Sequence, residues 1–120
     1  MNKTLKDFFV PPYEYLGTVL KIVDGDTVDI LIDEGFGNSI EQRVRLARID
    51  APEMKYGGSI AKNRVIELLP INTVVKVKTF KNREDRYGRY IAEIFFVLGG
   101  EFVNLSNVLL IENLVKEYKQ

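Results

Sequence analysis

Carboxylates close two apolar stretches of this chain, in Asp24-Gly25-Asp26-Thr27 and in Arg45-Leu46-Ala47-Arg48-Ile49-Asp50-Ala51-Pro52-Glu53, and Asp85-Arg86-Tyr87-Gly88-Arg89 sets an arginine after a turn. Phosphodiester cleavage needs oxygen ligands for a hard cation, a further carboxylate to take a proton from water, and guanidinium groups to hold phosphate. Together the three segments read as a metal-dependent phosphodiester-cleaving site. The sequence has no histidine and no cysteine. That excludes Ser-His and Cys-His nucleophile pairs, the usual general base, the usual zinc ligand, thiolate metal sites and any disulfide framework. Catalysis at neutral pH then falls to carboxylates, arginines, tyrosines, lysines or a metal.

The elements that must position these residues are those of one small domain. The chain has 120 residues, 46% of them hydrophobic, enough for one core and too few for two. We divide it into an N-terminal arm, residues 1–12, and a domain, residues 13–120. Lysine plus arginine and aspartate plus glutamate both number 17. Zero net charge argues against a nonspecific nucleic-acid coat but allows a local basic patch. No apolar run has signal-peptide or transmembrane length, so the chain reads as soluble with no membrane partner. Its compartment stays open, since cytoplasmic residence and secretion after leader removal look the same.

In the arm, Pro11-Pro12 stops any helix before the first strand. Tyr15 to Val23 is β-rich, and Val28, Ile30 and Ile32 alternate with Thr27, Asp29 and Asp33 as in a half-buried strand. Glu34 to Ser39 reads as a hairpin loop. The next strand, about Ile40 to Ile49, puts Val44 and Leu46 on one face and Arg43 and Arg45 on the other, so Arg45 is expected to point away from the core. Ser59 can cap a helix in which Ile60, Ala61, Arg64, Val65, Leu68 and Leu69 recur at helical spacing, with Pro70 ending it. Val74 to Phe80 and Arg89 to Val97 are strands, Gly99-Gly100 turns into a short strand at Glu101 to Val103, and a second helix runs from about Leu105 to Glu112. This order predicts a mainly β, α+β fold. The specific expectation is a five-stranded OB-type Greek-key barrel with a helix between strands 3 and 4 and a C-terminal helix.

On three motifs in order, Val23-Asp24-Gly25-Asp26-Thr27, Arg45 through Asp50-Ala51-Pro52-Glu53, and Tyr87-Gly88-Arg89, the chain resembles the staphylococcal nuclease (thermonuclease) family over about Tyr15 to Lys116. The resemblance implies that Asp26, Asp50 and the main-chain carbonyl of Ala51 ligate Ca2+, and that Glu53 is the general base. It also implies that Arg45 and Arg89 hold the scissile phosphate and that Tyr87, with Arg86 beside it, contacts the substrate. The family usually has threonine where this chain has Ala51, so a side-chain hydroxyl is missing while the carbonyl survives. The implied activity is calcium-dependent hydrolysis of DNA and RNA to 5′-hydroxyl and 3′-phosphate ends, by a monomer or else a dimer. The rival is a non-catalytic OB-fold module that binds nucleic acid or a protein partner. Family members usually continue into a further helix packed on the barrel, whereas this chain stops at Gln120. The expected substitute is the arm, whose Leu5, Phe8, Phe9 and Val10 would fold back on the domain, or a second copy.

Taken singly, each residue has a plainer reading. Asp24 and Asp26 around a glycine, or Asp50 before Ala51-Pro52, suit a solvated turn; Arg45 and Glu53 suit a surface ion pair; Arg89 suits a strand end. Lys76, Lys78, Lys81, Arg83 and Arg86 suit a solvated strand edge as well as a substrate-attracting rim. An EF-hand fails, because Val28 takes a ligand position and Asp29 the required glycine. One geometric condition follows from the pleat: Arg45 and Asp50 have opposite parity, so the chain must bend between them before both can reach Asp26.

Overall fold

The computed structural model describes residue 4, residues 13–84 and residues 88–120. The expectation for the N-terminal arm lies outside the described residues apart from Thr4, and those for Arg86 and Tyr87 lie outside them altogether. Strands β1 (Tyr13–Asp24), β2 (Thr27–Gly35) and β3 (Asn38–Leu46) form a meander that ends in the two-residue strand β4 (Ile49–Asp50). Helix α1 (Gly58–Leu68) leads to β5 (Val74–Glu84), β6 (Tyr90–Leu98) and β7 (Glu101–Asn104). Helix α2 (Leu105–Ile111) and a second two-residue strand, β8 (Lys116–Glu117), follow.

The main sheet runs β3-β2-β1-β5-β6-β7, and a parallel pairing of Val44–Leu46 with Tyr90–Ala92 joins β3 to β6. Five strands thereby close into the expected barrel, with β7 as a hairpin extension of β6. β1 makes this closure possible: its first half pairs with β5 and its second half with β2, with register irregularities after Val19 and after Ile22. Such irregularities bend a strand and increase its twist. The inward rows Val19, Val28, Ile30, Val44, Leu46, Val77, Ile94 and Phe96 fill the interior, and α1 and α2 contribute Ala61, Val65, Leu105 and Leu109. Two-residue alternation in the strands and the 3–4 repeat in the helices thus converge on one core.

Three expectations need correction. α1 starts one residue before Ser59, which does not cap it. Gly57, at φ 107°, occupies the cap, and Ile60 is exposed. A Cβ on Gly58 would fall 2.3 Å from the Pro52 carbonyl oxygen, so only glycine lets the chain wrap this tightly from Glu53 into the helix. β5, expected as a possible lysine-protected edge, lies between β1 and β6; its Lys76 pairs with Glu14 at 3.2 Å and sits over the stacked rings of Phe95 and Phe102. The strand expected to reach Ile49 breaks after Leu46, and Arg48 takes φ 68°. That break is the bend the parity of Arg45 and Asp50 demanded.

Candidate active site

Asp24 to Thr27 is the connection between β1 and β2. The Asp26 amide donates to Asp24 Oδ1 at 3.1 Å, a local aspartate turn, and the Leu46 amide donates to the Asp26 carbonyl at 2.8 Å. The turn is therefore fixed to the end of β3. A Cβ on Gly25 would lie 2.7 Å from Ala61 Cβ and 3.1 Å from Ala51 Cβ, so the turn also seats against α1 and the segment after β4.

Asp26 is buried, 7% exposed as a residue, and each of its carboxylate oxygens has a partner. Its Oδ1 accepts from the Thr27 hydroxyl at 3.0 Å, its Oδ2 from the Ala51 amide at 2.8 Å, and Arg45 Nη1 stands 3.4 Å from Oδ2. Burial opposes ionisation, but hydrogen bonding with Asp24, then the Ala51 amide, the Arg45 charge and the Thr27 hydroxyl hold Asp26 below the usual carboxylate range. Burial, followed by the adjoining Asp26 carboxyl, pushes Asp24 above that range. Their mutual hydrogen bond thus favours the proton on Asp24 and the charge on Asp26.

Arg45 ties the site together. The alternation along β3 holds, with Arg45 on the face opposite Val44 and Leu46, yet its residue is only 6% exposed. Its Nη1 donates to the Leu46 carbonyl at 3.1 Å and its Nη2 to Asp50 Oδ1 at 3.1 Å, while the Tyr118 ring lies 5.8 Å from the guanidinium carbon. The side chain is thus turned away from the hydrocarbon core but not into water. Asp26 and Asp50 meet on one guanidinium, so the surface pair of Arg45 with Glu53 does not form. Removing one member of the buried Arg45–Asp26 pair costs about 3–5 kcal/mol, because the other is left desolvated. Asp50 itself remains open, its side chain 52% exposed.

Arg89 approaches from the start of β6, donating from Nη1 to the Thr27 hydroxyl at 3.2 Å. Thr27 therefore links Asp26 to Arg89, a role that its place in the Asp24–Thr27 motif did not assign. Glu53 is exposed; its carbonyl accepts from the amides of Tyr56 and Gly58 at 2.8 and 2.9 Å. Its backbone is fixed and its carboxylate faces solvent.

The β3–β4 turn that presents Arg45 and Asp50 is itself held from two sides. From α2, the Ser106 hydroxyl donates to the Ala47 carbonyl at 2.9 Å, and Asn107 accepts from Arg48, which is clamped to Glu93 at 2.6 and 3.0 Å. From the C-terminal segment, Gln120 accepts from the Arg48 amide at 2.8 Å and donates to the Leu46 carbonyl at 3.3 Å, the Tyr118 amide donates to the Arg48 carbonyl at 2.8 Å, and β8 pairs with β4. Sequence reading passed over Tyr118 in favour of Tyr87. Nothing local in the sequence joins Tyr118 to Arg45.

No group of three or more acidic side chains converges among the described residues into a complete cation cage. The donors that are present are hard: the carboxylates of Asp26 and Asp50, drawn together by Arg45, and the carbonyl of Ala51, whose amide binds Asp26. Oxygen donors of this kind are the type that hard cations such as Ca2+ take.

The barrel, the Asp24–Thr27 turn and the Arg45–Glu53 segment define a nuclease-type OB fold. Residues 43–117 match the family described as staphylococcal nuclease homologue, and the chain belongs to that family. It is 33% identical over 112 aligned residues to micrococcal nuclease of Shigella flexneri, covering 88% of this chain and 60% of that protein. It is 31% identical to an uncharacterized protein of Methanocaldococcus jannaschii, covering 85% of this chain and 59% of the other, and 30% identical to an uncharacterized endonuclease of Escherichia coli, covering 66% and 47%. The chain thus spans three-fifths or less of the length of these curated relatives. Among solved structures, the extended Tudor domain TD3 from mouse TDRD1, in complex with a MILI peptide containing dimethylarginine, superimposes with a TM-score of 0.51 at 14% identity, covering 95% of this chain and 73% of that one. That likeness is one of fold.

Proposed function

We propose that this domain is a calcium-dependent nuclease that hydrolyses phosphodiester bonds of DNA and RNA, leaving 5′-hydroxyl and 3′-phosphate ends. The observation that carries the reading is the buried Arg45 shared by Asp26 and Asp50, with Arg89 joined to the same site through Thr27. Family membership and the nuclease names of two relatives support it. Asp26, Asp50 and the Ala51 carbonyl would hold the ion, which when bound polarises the phosphoryl group and offsets its charge.

The remaining work belongs to the protein's own groups. Arg45 and Arg89 bind the scissile phosphate and neutralise charge on its equatorial oxygens. Guanidinium suits this because its planar fork matches phosphate and keeps its proton. Glu53, on its fixed backbone, removes the proton from the attacking water. Thr27 orients Arg89, and Arg86 and Tyr87 contact the adjoining nucleotide. The protein acts as a monomer, with residues 1–12 an arm and residues 13–120 the catalytic domain.

The test is cleavage of plasmid DNA and of an RNA oligomer in calcium and in excess chelator, with end-labelling of the products. Calcium-dependent nicking that leaves ends open to a 5′-kinase is the expected result. Full activity in chelator refutes the metal assignment, and nucleic-acid binding without cleavage by the calcium-loaded protein supports the non-catalytic module instead.

A further inference from the structure

Beside the site is an open cleft of about 350 Å³ lined by Val23, Asp24, Thr27, Arg43 and Arg89. Arg43 has no part in the chemistry above. It lies on β3 two residues before Arg45, on the same face, and the cross-strand pairs repeat that step: Thr27 stands opposite Arg45, and Asp29 opposite Arg43. At the strand rise, the two arginines are set roughly 7 Å apart along the chain, comparable with the separation of neighbouring phosphates on an extended polynucleotide.

Asp29 grips one edge of the Arg43 guanidinium, accepting from Nε at 2.8 Å and from Nη2 at 3.1 Å. That side-on pairing fixes the plane of the group while no described residue takes Nη1, and the side chain is 52% exposed. Lys21 of β1 stands opposite Asp29 on its other side, so the row Lys21, Asp29, Arg43 keeps one net positive charge. The next residue outward on the same face of β3 is Glu41, exposed and of opposite sign. The positive track therefore extends one step beyond the arginines of the reacting centre and stops.

We propose that Arg43, braced by Asp29, binds the phosphate next to the scissile one, a single flanking-phosphate subsite that makes the domain favour polynucleotide over mononucleotide. This rests on the nuclease reading above. The experiment measures binding of a labelled short oligothymidylate by fluorescence anisotropy, in chelator so that nothing is cut, over a graded series of salt concentrations. Wild type is compared with Arg43→Ala, Arg43→Lys, Arg89→Ala and Arg64→Ala. Arg64 is the control: it is clamped by Glu112 just as Arg43 is by Asp29, but lies outside the cleft.

One lost contact to single-stranded phosphate lowers the slope of log affinity against log salt by about 0.7. Arg43→Ala should show that drop, Arg43→Lys should retain the wild-type slope, and Arg64→Ala should change nothing. The affinity of thymidine monophosphate, which has no flanking phosphate, measured by its displacement of the labelled oligomer, should be equal in wild type and Arg43→Ala. A wild-type slope in Arg43→Ala beside a lowered slope in Arg89→Ala overturns the subsite alone. A wild-type protein that neither binds the oligonucleotide in chelator nor nicks plasmid DNA in calcium overturns the nuclease reading and the subsite together.

Discussion

Replacing Gly25 by alanine should damage the site without touching any charged group. The added methyl would sit 2.7 Å from Ala61 Cβ and 3.1 Å from Ala51 Cβ, and Ala61 is fully buried in α1. The backbone at Gly25 is not in the left-handed region, so the cost is steric. Overpacking of this kind destabilises by about 1–3 kcal/mol, against a total of about 5–15 kcal/mol for a domain of this size, so the variant still folds. The wedge also drives the Asp24–Thr27 turn away from Ala51, lengthening the bond from the Ala51 amide to Asp26 and lowering activity. Ala61→Gly removes the nearer obstacle. Alone it costs about 1 kcal/mol in helix propensity and about 0.8 for the buried methyl. In the double variant the methyl of residue 25 takes up space vacated by that of residue 61, leaving only the milder contact with Ala51. The cycle should therefore be non-additive by about 1–2 kcal/mol, with the double variant more stable than the sum of the singles, and activity should recover towards that of Ala61→Gly. Urea denaturation at constant m-value, with plasmid nicking on the same preparations, measures both. Strict additivity would falsify the account of Gly25 as the seat of the turn against α1.

The roles assigned in catalysis separate in two variants. Glu53→Gln should lower turnover by roughly 10²-fold or more at nearly unchanged nucleotide affinity, while Arg89→Ala should cost about 3 kcal/mol of transition-state stabilisation; steady-state kinetics beside nucleotide binding tells them apart, and near-wild-type rates in Arg89→Ala would make that arginine a strand-end surface residue. A pH prediction comes from Glu93. Burial opposes its ionisation, but hydrogen bonds from Arg48 and Asn104 and the Arg48 charge outweigh it and hold its pKa below the ordinary 4.5. A carboxylate lowered on folding contributes its full stability above the unfolded value and loses it as pH falls through the folded value. The stability gap between wild type and Glu93→Gln should thus be constant at neutral pH and shrink from about pH 4.5 downward; a gap that widens on acidification contradicts the Arg48 clamp.

Much of this was legible in the sequence because the relevant physics is local. Alternation in Val28, Ile30 and Ile32 marked β2, the spacing of Ala61, Val65 and Leu68 marked α1, and the parity of Arg45 and Asp50 required the break that Arg48 supplies. Long-range closure was not legible. β4 and β8 are two residues each and have no periodicity of their own. The burial of Arg45 depends on Tyr118 and on Gln120, which reaches Leu46 across 74 positions. Thr27 lay in plain view inside a recognised motif, but its link to Arg89 needs the distance between β2 and β6, which no spacing along the chain encodes. The start of α1 was misread because Ser59 is a good cap by residue type, whereas the wrap from Glu53 needs two glycines ahead of it.

The two-sided hold on the β3–β4 turn sets an order of events during synthesis. A ribosome releases the Asp24–Thr27 turn, Arg45 and Glu53 early, while the groups that brace them come late: Ser106 grips Ala47 from 59 positions downstream, and Gln120 grips Leu46 from 74. Until those residues leave the exit tunnel the arginine lacks its ring cover and the bend lacks its outer strand, so the reacting groups exist on the chain without being assembled. For a protein proposed to cut RNA, that interval is the one spent tethered beside its own message. Synthesis of the groups and assembly of the site are therefore separate events, divided by the 59 to 74 positions that lie between the bend and its braces.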